Sequence, residues 1–176
     1  MRNRFILGIL SGVVLTFLIA AIGGYIFIVN GLMPANADAK PAALERWAAR
    51  KSLNVTISRD MVRTPNAAAL TAANLAAGVK LYGENCSVCH GNASAKPTKI
   101  AKGFYQHAPQ LAEDGVEDDP AGKVYWKISH GIRFTAMPAF SSTLNDRQRW
   151  ELTLFLQHMD KLPPAIDRMW HALKSS

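Results

Sequence analysis

Cys86 and Cys89 are the only cysteines of the 176-residue chain, and they stand three apart in the run LYGENCSVCHG, with His90 directly after the second. Three chemistries use two thiols so close together. A disulfide across so short a loop is strained, which suits a redox catalyst better than a structural staple. A closed zinc site wants four protein ligands, and the sequence offers no second Cys or His pair at ligand spacing. Covalent haem uses all three residues: in C-x-x-C-H each cysteine forms a thioether to a porphyrin vinyl group and the adjacent imidazole reaches the iron. The pattern therefore points to haem first and to a thioredoxin-like dithiol second.

A haem bound through His90 leaves one axial position on the iron. Downstream candidates are Met137, Met159, Met169, His107, His130, His158 and His171. Met137 stands in RFTAMPAF, a proline-pinned loop between two helical patterns, where a thioether can point inward without disturbing a helical face. In an arbitrary chain such a methionine fills a core. With a haem to cover, it becomes the leading ligand, and His130, at a helix end, is the chief rival with a capping role as its plainer explanation.

The N-terminus bounds the setting. Between Phe5 and Val29 lie 25 uncharged, largely apolar residues behind Arg2 and Arg4. About 20 such residues cross a bilayer as a helix, so the run spans with room for tilt. A cleaved signal peptide competes, because ANADA at 35–39 offers A-x-A sites after Ala37 or Ala39, but its apolar core is usually far shorter. An uncleaved anchor is the preferred reading. The positive-inside rule is nearly tied, with Arg2 and Arg4 on one side and Lys40 and Arg46 on the other. Gly8 and Gly12 form a G-x-x-x-G, a weak signal for pairing of anchors.

Charge excludes one class of partner. Residues 1–72 carry 8 Lys/Arg against 3 Asp/Glu, whereas residues 73–176 carry 12 against 10. A nucleic-acid binder concentrates basic residues on its folded part, and here that part is nearly neutral. Nucleic acid is not an expected partner.

After the apolar run, DAKPAALERWAARKSL reads as a short helix beginning near Pro41, and NVTISRDMVRTPN reads as extended. Trp47 with Arg46, Arg50 and Lys51 suits lipid headgroups, but the segment is better explained as a spacer lying along the following domain. From about Ala67 a compact all-α pattern begins. In NAAALTAANLAAGVKLYGENC the residues Leu75, Val79 and Tyr82 share one helical face, and Gly78 amid them calls for close approach by another backbone. The expected visitor is LNDRQRWELTLFLQHM, opened by a capping box of Asn145 and Gln148. A third helix lies in DDPAGKVYWKISHGI, starting at Pro120 and stopping at Gly131. No sustained strand alternation competes. The loop at 91–118 is long for so small a domain, and a buried porphyrin would organise it.

With these residues in place, the chain resembles the class I cytochrome c family, in particular its single-haem, membrane-anchored bacterial members. The resemblance covers about residues 74–160 and rests on GVKLYGENCSVCHG, APQL, HGIRFTAMPAF and LNDRQRWELTLFLQ. It implies an all-α cytochrome c fold, three main helices around a covalent haem c, preceded by one transmembrane helix. Cys86 and Cys89 are then the thioether cysteines, His90 the proximal ligand and Met137 the distal one. Pro109 matches the proline whose carbonyl accepts the proximal imidazole's hydrogen bond, although the family's usual G-P-x-L is A-P-Q-L here. Gly78, Tyr82, Trp150 and Phe155 match the crossing of the first and last helices. The implied organisation is a cytoplasmic N-terminus and anchor at 1–30, a periplasmic linker at 31–72, the cytochrome c domain at 73–163 and a C-terminal tail at 164–176. The implied function is one-electron transfer, with no catalysis, between membrane or periplasmic redox partners such as a dehydrogenase, oxidase or reductase. The haem domain would face the periplasm from the bacterial inner membrane. The alternatives are a haem peroxidase or gas sensor with a displaceable sixth ligand, or the cytochrome subunit of a larger membrane dehydrogenase or oxidase. Lys96, Lys99 and Lys102 either steer an acidic partner or solvate a loop, and the acidic run Glu113, Asp114, Glu117, Asp118 and Asp119 reads as a solvated turn in preference to a calcium site.

Overall fold

The computed structural model of the chain describes residues 2–32 and 34–173, and among these every regular element is helical. The chain divides into two units, one up to Ala39 and one from Lys40 onward. The first is a single helix, α1 (Arg2–Val29), followed by a turn at Gly31 with φ 64°. Its residues Asn3–Val29 are long and apolar enough to cross a membrane by length and composition, and none of their side chains is buried. Its hydroxyls do not stand idle. Ser11 Oγ donates to the Leu7 carbonyl at 2.8 Å and Thr16 Oγ1 to the Gly12 carbonyl at 2.9 Å, so each is satisfied within the helix itself.

The second unit contains α2 (Ala43–Asp60), α3 (Ala72–Asn85), α4 (Ser87–His90), α5 (Leu111–Asp114), α6 (Ala121–His130), α7 (Asp146–Leu156) and α8 (Pro164–His171), with 3-10 turns at Ala101–Gly103 and Phe140–Ser142. Its centre is the crossing of α3 and α7. A Cβ on Gly78 would stand 2.5 Å from both the Glu151 carbonyl oxygen and Phe155 Cβ, so only glycine lets the two backbones meet. Val79, Tyr82, Leu152 and Phe155 are almost fully buried around that point. The Tyr82 hydroxyl donates to the Gly91 carbonyl at 3.0 Å, which ties the core to the chain just past the C-x-x-C-H run. Burial raises the Tyr82 phenol well above its ordinary value, so it remains a donor.

The expected caps are present. Asn145 accepts from the Gln148 amide at 3.0 Å while the Gln148 side chain accepts from the Asn145 amide at 2.9 Å, the reciprocal pair of a capping box. Pro120 precedes α6 and Gly131 ends it with φ 63°. Trp150 faces α6, where it stacks on Tyr125 with centroids 4.0 Å apart and planes 16° apart.

Two segments differ from the sequence reading. Residues 54–60, read as extended from Val55, Thr56 and Ile57, continue α2 instead. Leu53, Thr56 and Ile57 fall on one helical face, and Ile57 is only 2% exposed, so packing overrides the β-branched preference for extended backbone. Within the segment read as a tail, Pro164–His171 form α8, which packs on α3. Trp170 of α8 meets Tyr82 edge-on at 5.0 Å and Phe155 at 5.3 Å.

Candidate functional site

Where α3 ends, the Cys86 amide donates to the Tyr82 carbonyl at 2.8 Å. The amides of Cys89 and His90 then both donate to the Cys86 carbonyl, at 3.0 and 2.9 Å, and wind α4 into one tight turn. That turn delivers both thiols and the imidazole to a single cleft. Gly91, with φ 72°, releases the chain in a direction that an L side chain rarely allows.

His90 is oriented from outside the turn. Its Nδ1 lies 2.8 Å from the Pro109 carbonyl oxygen, an acceptor only, so Nδ1 carries the hydrogen and Nε2 keeps its lone pair for a metal. Burial lowers the imidazole's proton affinity and the Pro109 bond only partly offsets this, so the ring is held neutral. The thiols behave in the opposite sense to a redox dithiol. Burial, with a smaller contribution from Cys89, pushes Cys86 up to about 12, and burial also raises Cys89. Thiols raised in this way lack the depressed acidity that activates a catalytic dithiol.

Facing this turn, the rest of the cleft is mostly apolar. Phe104, Pro109 and Leu111 come from the long loop and α5, Val124 and Ile128 from α6, and Ile132, Met137, Pro138 and Phe140 from the stretch after it. The Met137 loop is pinned at both ends. A Cβ on Gly131 would lie 2.5–2.6 Å from Pro138 and from the Met137 carbonyl oxygen. The Ile132 amide donates to that same carbonyl at 3.2 Å, and the Met137 amide donates to Thr135 Oγ1 at 3.1 Å. Met137 is thus fixed in the lining by its own backbone.

The residues singled out in the sequence separate clearly. Cys86, Cys89, His90, Pro109 and Met137 all line the cleft. His107 lines it too, exposed to solvent. His130 is exposed at the end of α6, its ring 5.0 Å from that of Trp126, and does not reach the cleft. Met159 is buried in the core, His158 Nδ1 donates to the Leu154 carbonyl, and Met169 and His171 lie on α8. The acidic run is partly neutralised from within: Asp119 pairs with Lys123 at 2.6 Å and Lys127 at 3.2 Å. Among the described residues no three His, Cys, Asp or Glu side chains gather to hold a metal ion. A second cavity, lined by residues 67–69 and Trp150, holds neither thiol nor imidazole. Sequence reasoning missed Leu53 and Asn54 of α2, which also line the cleft and sit in no recognisable motif.

Two thiols and one oriented, neutral imidazole opening on an apolar cleft are the donor set of a covalently attached haem, and the residues present fit that group. Residues 73–156, just under half of the chain, match the family described as cytochrome C oxidase, cbb3-type, subunit III. No curated protein matches the chain. The matched segment begins at the start of α3 and ends with α7, so it encloses the thiols, the imidazole and the Met137 loop in an all-helical frame. The segment is a class I cytochrome c domain, and its cofactor is covalently bound haem c.

Proposed function

We propose that the chain is a membrane-anchored one-electron carrier, with Cys86 and Cys89 as the thioether cysteines and His90 and Met137 as the axial ligands. Bound haem c supplies an Fe(III)/Fe(II) couple that takes up or releases one electron. The observation that carries the reading is His90, held at Nδ1 by Pro109 while Met137 is pinned into the lining of the same cleft. His90 would be ready to ligate without rearrangement, and Met137 would fill the remaining position, leaving no coordination site for a substrate. Around a bound haem, the apolar side chains of α6 and the Met137 loop would keep water away and so favour the less charged oxidation state. Lys96, Lys99 and Lys102 are exposed beyond the C-x-x-C-H turn and would steer an acidic redox partner by raising its encounter rate. α1 would hold the domain at the bacterial inner membrane, with the haem on the periplasmic side.

Replacing Met137 by Ala tests the ligand set. The variant should keep covalent haem yet lose the methionine–iron charge-transfer band of the oxidised protein and become high-spin or water-ligated, with a lower potential. An unchanged six-coordinate low-spin spectrum would assign Met137 to packing and bring His107, the other candidate lining the cleft, to the fore. A second reading follows from the matched family's description as an oxidase subunit. The chain would then be the cytochrome subunit of a larger membrane complex, with α1 as an assembly helix, and mild detergent extraction should bring that complex down whole.

A further inference from the structure

The family match begins at residue 73, yet part of the haem cleft's wall comes from residues well before it. Leu53 and Asn54 of α2 line the cleft. One turn further, Ile57 is 2% exposed, which seats the helix against the domain. Beyond the helix, the backbone of Val62 lies directly on Gly122 of α6, at a spot where any Cβ would collide with the Val62 carbonyl. Near the start of α2, the Tyr105 hydroxyl donates to both oxygens of the Glu45 carboxylate, at 2.7 and 2.8 Å. Tyr105 belongs to the long loop that also supplies Phe104 and Pro109 to the cleft, so this bond joins the two walls. The other face of α2 carries Leu44, Trp47 and Val55 into solvent.

We propose that α2 is a component of the haem site: Leu53 closes one edge of the cleft against water, and the Glu45–Tyr105 bond is the latch that holds it there. This rests on the assignment of the cleft to haem through Cys86 and Cys89. Glu45 and Tyr105 are positioning residues acting through Leu53. A greasy side chain at that edge removes water that would otherwise stabilise the more highly charged Fe(III), and burial of this kind is one of the protein's levers on haem potential. A plain spacer helix would contribute stability and leave the couple untouched.

The test is spectroelectrochemical titration of the full chain in detergent. Leu53→Gln should move the Fe(II)/Fe(III) ratio at fixed poise roughly threefold to tenfold toward Fe(III), tenfold being 59 mV for one electron. Leu44→Gln, on the exposed face of the same helix, should leave the ratio at the wild-type value. Tyr105→Phe removes one hydroxyl, and it should shift the ratio in the same direction, roughly twofold, while amides 53–60 exchange hydrogen several times faster. A Leu53→Gln protein with α2 intact and an unchanged ratio overturns the proposal. If Leu53→Gln fails to fold, Tyr105→Phe decides, and unchanged ratio and exchange overturn it. Covalent haem on a denaturing gel is read in every sample. Its persistence after loss of both cysteines would remove the site assignment itself, a failure separate from that of α2.

Discussion

Gly78→Ala should destabilise the domain although alanine is the better helix former. In an open helix the exchange gains about 1 kcal/mol. Here the new Cβ would stand 2.5 Å from the Glu151 carbonyl oxygen and from Phe155 Cβ, about 1 Å inside ordinary van der Waals contact. Neither neighbour is the free end of a flexible side chain, so α3 and α7 must separate, and Tyr82, Leu152 and Phe155 lose contact together. Overpacking costs about 1–3 kcal/mol and occasionally more, and two contacts at 2.5 Å put this site at the upper end, about 3 kcal/mol, leaving a net loss of about 2 kcal/mol. For a domain of this size that is a fall of about 6–12 °C in Tm. Thermal unfolding of the haem-loaded protein, followed by far-ultraviolet circular dichroism, measures it. Gly103→Ala is the control, because nothing lies within 4 Å of a Cβ there, and it should be neutral or slightly stabilising. A Gly78→Ala protein at least as stable as wild type would show that the α3–α7 crossing is looser than described and that its glycine is dispensable.

Two further outcomes are expected. Losing Cys86 and Cys89 together should abolish haem staining on a denaturing gel, while either single change leaves haem on one thioether at best; an undiminished stain in the double variant refutes the attachment. Asp119 is raised by burial, but Lys123 and Lys127 outweigh that and hold it below its ordinary 3.8. A depressed carboxylate contributes stability that is complete above the unfolded value, near pH 4, and is lost as pH falls through the lower folded value. Asp119→Asn should therefore cost up to about 1 kcal/mol at pH 7 and progressively less below pH 4, read from denaturant midpoints at both pH values. A gap that does not narrow in acid would mean that the pair contributes nothing.

Much of the site was legible because its signals are short-range. The C-x-x-C-H turn closes on its own backbone hydrogen bonds, so spacing alone placed Cys86, Cys89 and His90 together. Gly78 and the Asn145–Gln148 pair were visible for the same reason, since helix caps and close approaches are written in residue type. The place of Met137 in the cleft lining was reachable because proline and glycine mark the ends of its loop. What stayed hidden depends on partners far away in sequence. Nothing local in Val55, Thr56 and Ile57 says helix; the burial of Ile57 against the domain decides it. Tyr105 and Glu45 are 60 residues apart, and neither is unusual in its own neighbourhood. Trp170 looked like part of a tail because its two ring partners lie on α3 and α7.

Tyr82, Phe155 and Trp170 meet from three helices, with the first and third rings far apart in sequence. Contacts this distant in sequence form slowly, so the docking of α8 is expected to come late in folding. Until α8 docks, the rings of Tyr82 and Phe155 each lack their edge-on partner. Tyr82 also carries the hydroxyl bond to the Gly91 carbonyl, so the seating of α8 bears on how firmly the chain just past His90 is held.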